Sequence, residues 1–279
     1  MEKTIQKIVA RSIGSYINLL SYIAPNKSLL LAYKFFSEPR KGKIKGDKIP
    51  KTLQKSIYQK HKLNNQEFYT YRWEGNKEVI LLVHGWESNA SRWKKLLPYL
   101  KKTGKTIIAI DAPAHGFNTD KEFNVIIYSE FINEIVQKFH PKIAIGHSIG
   151  GNALAYYQNH YPHQIEKMVL LGAPCDFKVI MENYFILLSL NKKVQKQFKD
   201  YIQSRFNIAI EDFSASKFLK ETTISGIIAH DLEDSVVLFK ESTKIASAWK
   251  TAQFIETKGF GHSMHDANLY QTIVEFLES

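Results

Sequence analysis

From Phe68 onward, short apolar runs alternate with stretches of helical spacing. Residues 79–83, 106–110, 143–145, 168–171, 226–229 and 253–255 are rich in Val, Ile and Leu and read as strands. Residues 91–102, 124–139, 152–160, 236–249 and 265–277 carry apolar positions three and four apart and read as helices. Near-continuous apolar strands separated by helices predict an α/β fold, with a mostly parallel sheet covered by helices on both faces. The alternation breaks over 176–221, which has helical spacing and no strand. A helical block set between two strands of one sheet predicts a cap over the strands' carboxyl ends, where open α/β sheets bind ligands. A helical excursion packed on one side of the sheet is the plainer alternative.

The first residues follow another pattern. Ile5, Ile8, Val9, Ile13, Tyr16, Ile17, Leu20 and Ile23 form one helical stripe, and a second apolar run spans 29–36. Lys7 and Arg11 interrupt the stripe and no run of 18 uncharged apolar residues exists, which argues against a membrane span. Nor is a signal-peptide cleavage pattern evident. The expectation is an N-terminal helical arm and basic linker over 1–67, packed on a core of 68–279 that carries 176–221 as a lid. An amphipathic anchor at a membrane surface is the competing reading.

Charge sharpens this division. The chain of 279 residues carries a formal charge of +11. Most of the excess is local: residues 40–62 hold nine Lys or Arg against the single acid Asp47, and 178–220 hold eight against four. A basic segment attracts anionic lipid or acidic substrate. No zinc-finger or RNA-binding signature accompanies it, so nucleic acid is not expected. One cysteine, Cys175, excludes an intramolecular disulfide and a Cys-based zinc cage. It fits a reducing, cytoplasmic setting.

The chemistry sits at strand ends. Gly146-His147-Ser148-Ile149-Gly150 matches G-x-S-x-G between a predicted strand and a predicted helix. In that context the serine occupies a strained turn that lifts its hydroxyl above the sheet edge, with small neighbours so that strand and helix can pass closely. The N–H of Ile149 opens the helix and can face a developing oxyanion. A serine nucleophile needs a base. His262, on the glycine-flexed loop after the last strand, is the first choice and His265 the second. The base needs an acid. Asp234, after the penultimate strand, is favoured, with Asp231, Glu233 and Asp176 as alternatives.

The order Ser, Asp, His completes a set of motifs that resembles the α/β-hydrolase superfamily from about Phe68 to Ser279. The residues carrying the resemblance are His84-Gly85-Trp86, the stretch 111–116, Gly146 to Gly151, the Asp234 loop and Gly261-His262. The resemblance implies an oxyanion hole formed by the N–H groups of Trp86 and Ile149, and a variable lid over 176–221. Two positions depart from the common pattern: Asp231 stands where relatives often have glycine, and Leu238 where they often have proline.

The expected activity is serine hydrolysis of a carboxylic ester or related acyl bond, with no metal or organic cofactor. Acyl transfer on the same residues, or non-catalytic binding of a small molecule, are the alternatives. The apolar residues Ile180, Tyr184, Phe185, Leu187 and Leu188, together with Trp86 and His147, are expected to line a pocket for a substrate with an apolar portion. Peripheral membrane contact through the N-terminal arm is the remaining partner expectation.

Overall fold

In the computed structural model the structure describes residues 2–46 and 48–279, so Asp47 of the basic linker lies outside the described residues. The chain begins with helices α1 (Glu2–Ile23), α2 (Pro25–Ser37) and α3 (Lys51–Gln54), followed by strands β1 (Ile57–Leu63), β2 (Gln66–Trp73) and β3 (Asn76–Val83). Next come α4 (Leu97–Lys102), β4 (Lys105–Ile110), α5 (Val125–Phe139), β5 (Ile143–His147), α6 (Ile149–His160) and β6 (Lys167–Leu171). Helices α7 (Phe177–Leu188), α8 (Lys192–Phe206) and α9 (Ala215–Phe218) lead to β7 (Ser225–Asp231), α10 (Lys240–Ala248), β8 (Ala252–Thr257) and α11 (Ala267–Glu278).

Two compact units divide the chain. The larger, Pro39–Cys175 with Ala215–Ser279, holds one eight-stranded sheet in the order β1-β2-β4-β3-β5-β6-β7-β8. Pairings β1–β2 and β2–β4 are antiparallel, and the rest are parallel. Side chains alternate between faces along a strand. Ile80 and Leu82 pack in the core that includes Leu97 and Leu100 of α4 and Ile273 and Leu277 of α11. Leu81 and Val83 point to the opposite face and are equally buried. Each fully buried aliphatic side chain of this kind stabilises the fold by roughly 1.5–3 kcal/mol, which explains why apolar runs rather than alternation mark these strands.

The sheet starts earlier than the expected boundary at 67/68, because β1 lies inside the supposed linker. It left no apolar signal, since it is an edge strand with His61 as its one buried residue. Lysines on an edge strand also block pairing with another chain.

The smaller unit joins the residues up to Glu38 with Asp176–Ser214. Here the sequence-based division needs correction. The arm and the inserted helices share one core, in which Ile17, Ala32 and Tyr33 pack with Met181, Phe185, Leu188, Val194 and Phe198. The inserted part ends at Ser214 rather than 221, and α9 belongs with the sheet. On α1, Gly14 meets the carbonyl of Leu188 so closely that an added Cβ would stand 1.6 Å from that oxygen. The α1 stripe divides: Ile17 is buried and Ile13 half-buried, whereas Ile5, Ile8, Val9, Tyr16 and Ile23 are exposed.

Candidate active site

Strand register brings the chemistry to one edge. Val83 of β3 is level with Gly146 of β5, Leu171 of β6 with His147, and Ala229 of β7 with Leu171. The loops after β3, β5, β7 and β8 therefore leave the same end of the parallel sheet. Ser148, between β5 and α6, has φ 55° and ψ −130°, a strained conformation for a residue with a side chain. Its small neighbours are required by contact. A Cβ on Gly150 would stand 2.3 Å from the Val83 carbonyl oxygen, and one on Gly146 would stand 2.6 Å from the Gly151 Cα.

His262, in a single 3-10 turn after β8, places Nε2 2.9 Å from Ser148 Oγ. Its Nδ1 lies 2.7 Å from Asp234 Oδ2. Asp234 is buried and accepts further bonds at Oδ1 from the N–H groups of Val236 and Val237, at 2.8 and 3.0 Å. Burial alone would raise its carboxyl, but hydrogen bonds from His230 and His262 outweigh that and hold it well below the ordinary aspartate value.

The alternatives sit elsewhere. Asp231 ties β7 to β8 by accepting from Thr257 Oγ1 and the Phe260 N–H at 2.9 and 3.0 Å. Glu233 is exposed. Asp176 accepts from Ser214 Oγ at 2.6 Å within the helical unit. His265 Nδ1 is bonded to the Tyr270 hydroxyl at 2.6 Å.

The loop bearing Trp86 runs beside the serine, since a Cβ on Gly85 would stand 2.8 Å from Ser148 Cβ. Two buried histidines brace it. His84 Nδ1 donates to the Gly85 carbonyl at 2.7 Å, and its Nε2 accepts from the Ala112 N–H at 2.9 Å. His115 Nε2 accepts from the Glu87 N–H at 2.9 Å. The Trp86 ring is half-buried, with ring centres of Phe123 and His115 at 5.4 and 5.6 Å.

The residues named for an acyl pocket have mixed placements. The His147 ring is buried and its Nε2 donates to the His262 carbonyl at 2.7 Å, so it braces the histidine loop instead of offering a wall. Phe185 and Leu188 are buried in the core of the helical unit, and the Tyr184 hydroxyl donates to the Ala32 carbonyl at 2.7 Å. Their apolar spacing reflected helix packing. Leu187 is exposed.

Two residues of this site escaped sequence reasoning. Arg92 donates from its guanidinium to the Ser263 carbonyl at 3.0 Å, adjoining the bond from His147, so two successive carbonyls of the histidine loop are clamped. Burial lowers its guanidinium to about 9. Fully buried His230 places Nε2 3.2 Å from Asp234 Oδ2, four residues before it in sequence. That spacing was the available signal. Among the described residues no group of three His, Cys, Asp or Glu side chains has an arrangement that could hold a metal ion.

Replacing His147 by phenylalanine keeps a ring in the site and removes the donor to His262. It also removes Nδ1, a buried nitrogen without a hydrogen-bond partner among the described residues. Loosening a catalytic group by about 1 Å costs on the order of 10²-fold. The expected result is a turnover at Ser148 lowered ~10- to 100-fold with an unchanged melting temperature; equal turnover would remove the bracing role.

Burial also sets an expected pH response. His61 and His115 are pushed down to about 4, and His84 and His147 well below the ordinary value, each chiefly by burial. Such an imidazole protonates first in the unfolded chain, so its contribution is complete above about pH 6.5 and is lost as pH falls toward ~4. Each can contribute up to ~1.4 kcal/mol per pH unit in that window. Asp111 opposes this, because burial raises it to about 6 and its contribution shrinks as pH rises toward that value. Burial lowers His163 and His265 as well and raises Asp120 and Glu130, so six imidazoles stand against three carboxyls and the sign is unchanged. The urea midpoint should therefore drop between pH 7 and pH 5, and a flat profile would contradict the neutral state of these rings.

A sheet of this order, carrying Ser, His and Asp on the loops at its carboxyl edge, defines a class. Residues 78–223 match the family model described as the alpha/beta hydrolase fold, and the chain belongs to that family. It is 30% identical over 188 residues to "Putative esterase/lipase 3" of Mycoplasma pneumoniae, covering 63% of this chain and 64% of that one. It is 30% identical over 103 residues to a monoacylglycerol lipase of Mycolicibacterium smegmatis, covering 34% and 37%. The chain thus spans less than two thirds of the length of either relative. Among solved structures, an esterase from Exiguobacterium antarcticum superposes with a TM-score of 0.60 at 16% identity, over 81% of this chain and 98% of that one. At that identity the likeness speaks for the fold alone.

Proposed function

We propose that the protein is a serine hydrolase that cleaves a carboxylic ester or related acyl bond through an acyl-enzyme. The observation that carries this reading is the unbroken hydrogen-bonded path from Ser148 through His262 to Asp234, at 2.9 and 2.7 Å. A serine that only shaped a turn would have no need of an imidazole aligned on its hydroxyl and a buried carboxylate behind it. The esterase and lipase names of the relatives agree with the reading.

In the mechanism, Ser148 Oγ attacks the acyl carbonyl while His262 Nε2 takes its proton. The tetrahedral oxyanion is held by the N–H groups of Trp86 and Ile149, the latter at the positive end of α6. His262 then returns the proton to the leaving alcohol, and water repeats the sequence to release the acid. Asp234 keeps Nδ1 protonated and stabilises the imidazolium. The substrate is proposed to be apolar on its acyl side, with half-buried Trp86 on the loop that runs beside the serine. A fluorophosphonate probe should label the wild type and leave Ser148→Ala unlabelled. An unlabelled wild type would favour a binding protein on the same fold.

A further inference from the structure

Behind Asp234 stands a buried imidazole that takes no step in the proposed reaction. His230, near the end of β7, is fully buried, and its ring lies edge-on to Phe239 at 5.9 Å between centres. Both ring nitrogens are bonded. Nε2 lies 2.9 Å from the Val237 carbonyl oxygen and 3.2 Å from Asp234 Oδ2. A carbonyl oxygen only accepts, so Nε2 carries a hydrogen, and that N–H is shared between two acceptors. Nδ1 meets the hydroxyl of buried Ser242 on α10. With the hydrogen on Nε2, Nδ1 accepts and the hydroxyl donates. The hydrogen-bonded path therefore does not end at the acid. It runs through Ser148, His262, Asp234, His230 and Ser242.

The extra donor falls on a particular atom. Asp234 Oδ1 is occupied by the N–H groups of Val236 and Val237. Oδ2 takes His262 Nδ1, and it is this oxygen that His230 reaches. With both oxygens doubly bonded, the carboxylate has no free lone-pair direction, and the angle at which it meets His262 is set. Donors to a carboxylate also favour its charged form, which makes it a weaker acceptor for the proton on His262. The other titratable neighbours are engaged elsewhere. Asp231 accepts from Thr257 and the Phe260 N–H, and Glu241 on α10 accepts from the Cys175 N–H at 3.2 Å and pairs with Lys244. The His147 ring, 4.9 Å from that of His262, donates to the His262 carbonyl. We infer that His230 is a positioning residue: through its Nε2–H it fixes Asp234 Oδ2 against His262 and moderates the pull of that oxygen on the imidazole. The inference rests on the proposed roles of Ser148, His262 and Asp234, and adds His230 and Ser242 behind them.

The test follows His262 in the full-length protein by nitrogen NMR of its ring across pH. Alongside it, the pH profile of kcat/KM on a short p-nitrophenyl ester reports the free-enzyme base. His230→Leu keeps the space filled and removes the donor. The His262 midpoint should then rise by about 0.5–1 pH unit, and kcat should fall about tenfold as the ring loosens. His230→Gln can present an amide N–H close to the place of Nε2 and should recover most of both changes. On an Asp234→Asn background His230→Leu should move the midpoint no further, because the charge it moderates is gone. A merely structural histidine would lower the melting temperature and leave the midpoint in place. If His230→Leu melts early, Ser242→Ala decides: the ring stays, its N–H is less polarised, and the midpoint should still rise. An unmoved midpoint in folded His230→Leu or in Ser242→Ala, equal midpoints in the Leu and Gln variants, or a full Leu effect on the Asp234→Asn background would overturn the inference. The NMR titration needs no turnover. A wild type that hydrolyses no ester, with the midpoint still raised in His230→Leu, would therefore count against the hydrolase reading alone. Turnover in the wild type with an unmoved midpoint in the variant would count against His230 alone.

Discussion

Ser148→Ala and His262→Ala are each expected to lower kcat on a short p-nitrophenyl ester by ~10⁶-fold. The losses are large and alike because the two groups act as one unit: without the base the hydroxyl stays protonated, and without the hydroxyl the base has nothing to activate. Combining the substitutions should cost little more than either alone. Melting temperature serves as the control, since His262 is held in place by bonds to its backbone carbonyl as well as to its ring. Wild-type-like turnover in His262→Ala would move the base elsewhere. His265 is poorly placed to take over, being bonded to Tyr270 and pushed down to about 4, chiefly by burial.

Asp234→Asn should cost ~10⁴-fold in kcat, less than loss of the nucleophile or base. The amide has nearly the same shape, so the fold should survive. An amide can, however, present an N–H where the carboxylate presented an acceptor, which favours the wrong imidazole tautomer. Asp234 Oδ2 receives both His262 Nδ1 at 2.7 Å and His230 Nε2 at 3.2 Å. An amide nitrogen at that position would face two ring nitrogens that now donate. A loss below about tenfold would show that Asp234 is not the orienting acid.

The central strands and the candidate triad were legible in sequence for one reason: parallel strands buried on both faces are written as apolar runs, and functional residues follow their carboxyl ends. Ser148, Asp234 and His262 each stand within a few residues of such a run. The features that were missed lack that marker. Strand β1 is an exposed edge, so its sequence resembles a polar linker. Arg92 acts through a bond to Ser263, 171 positions away, and no local periodicity encodes such a pairing. Helical spacing shows that Phe185 and Leu188 are apolar without showing what they meet, so it cannot tell a pocket wall from a packed core. In the structure they meet α1 and α2 within one core.

That shared core has a consequence for synthesis. Asn18 and its acceptor Ser189 are 171 positions apart, although they belong to one compact unit. At ~5–20 residues per second, α1 leaves the ribosome roughly 10–30 s before the helices that complete its core. During that interval both sides of an apolar helix stand open to solvent. The nascent arm is therefore open to chaperone capture in that interval, and a segment made before the sheet finds its place only after most of the sheet has been made.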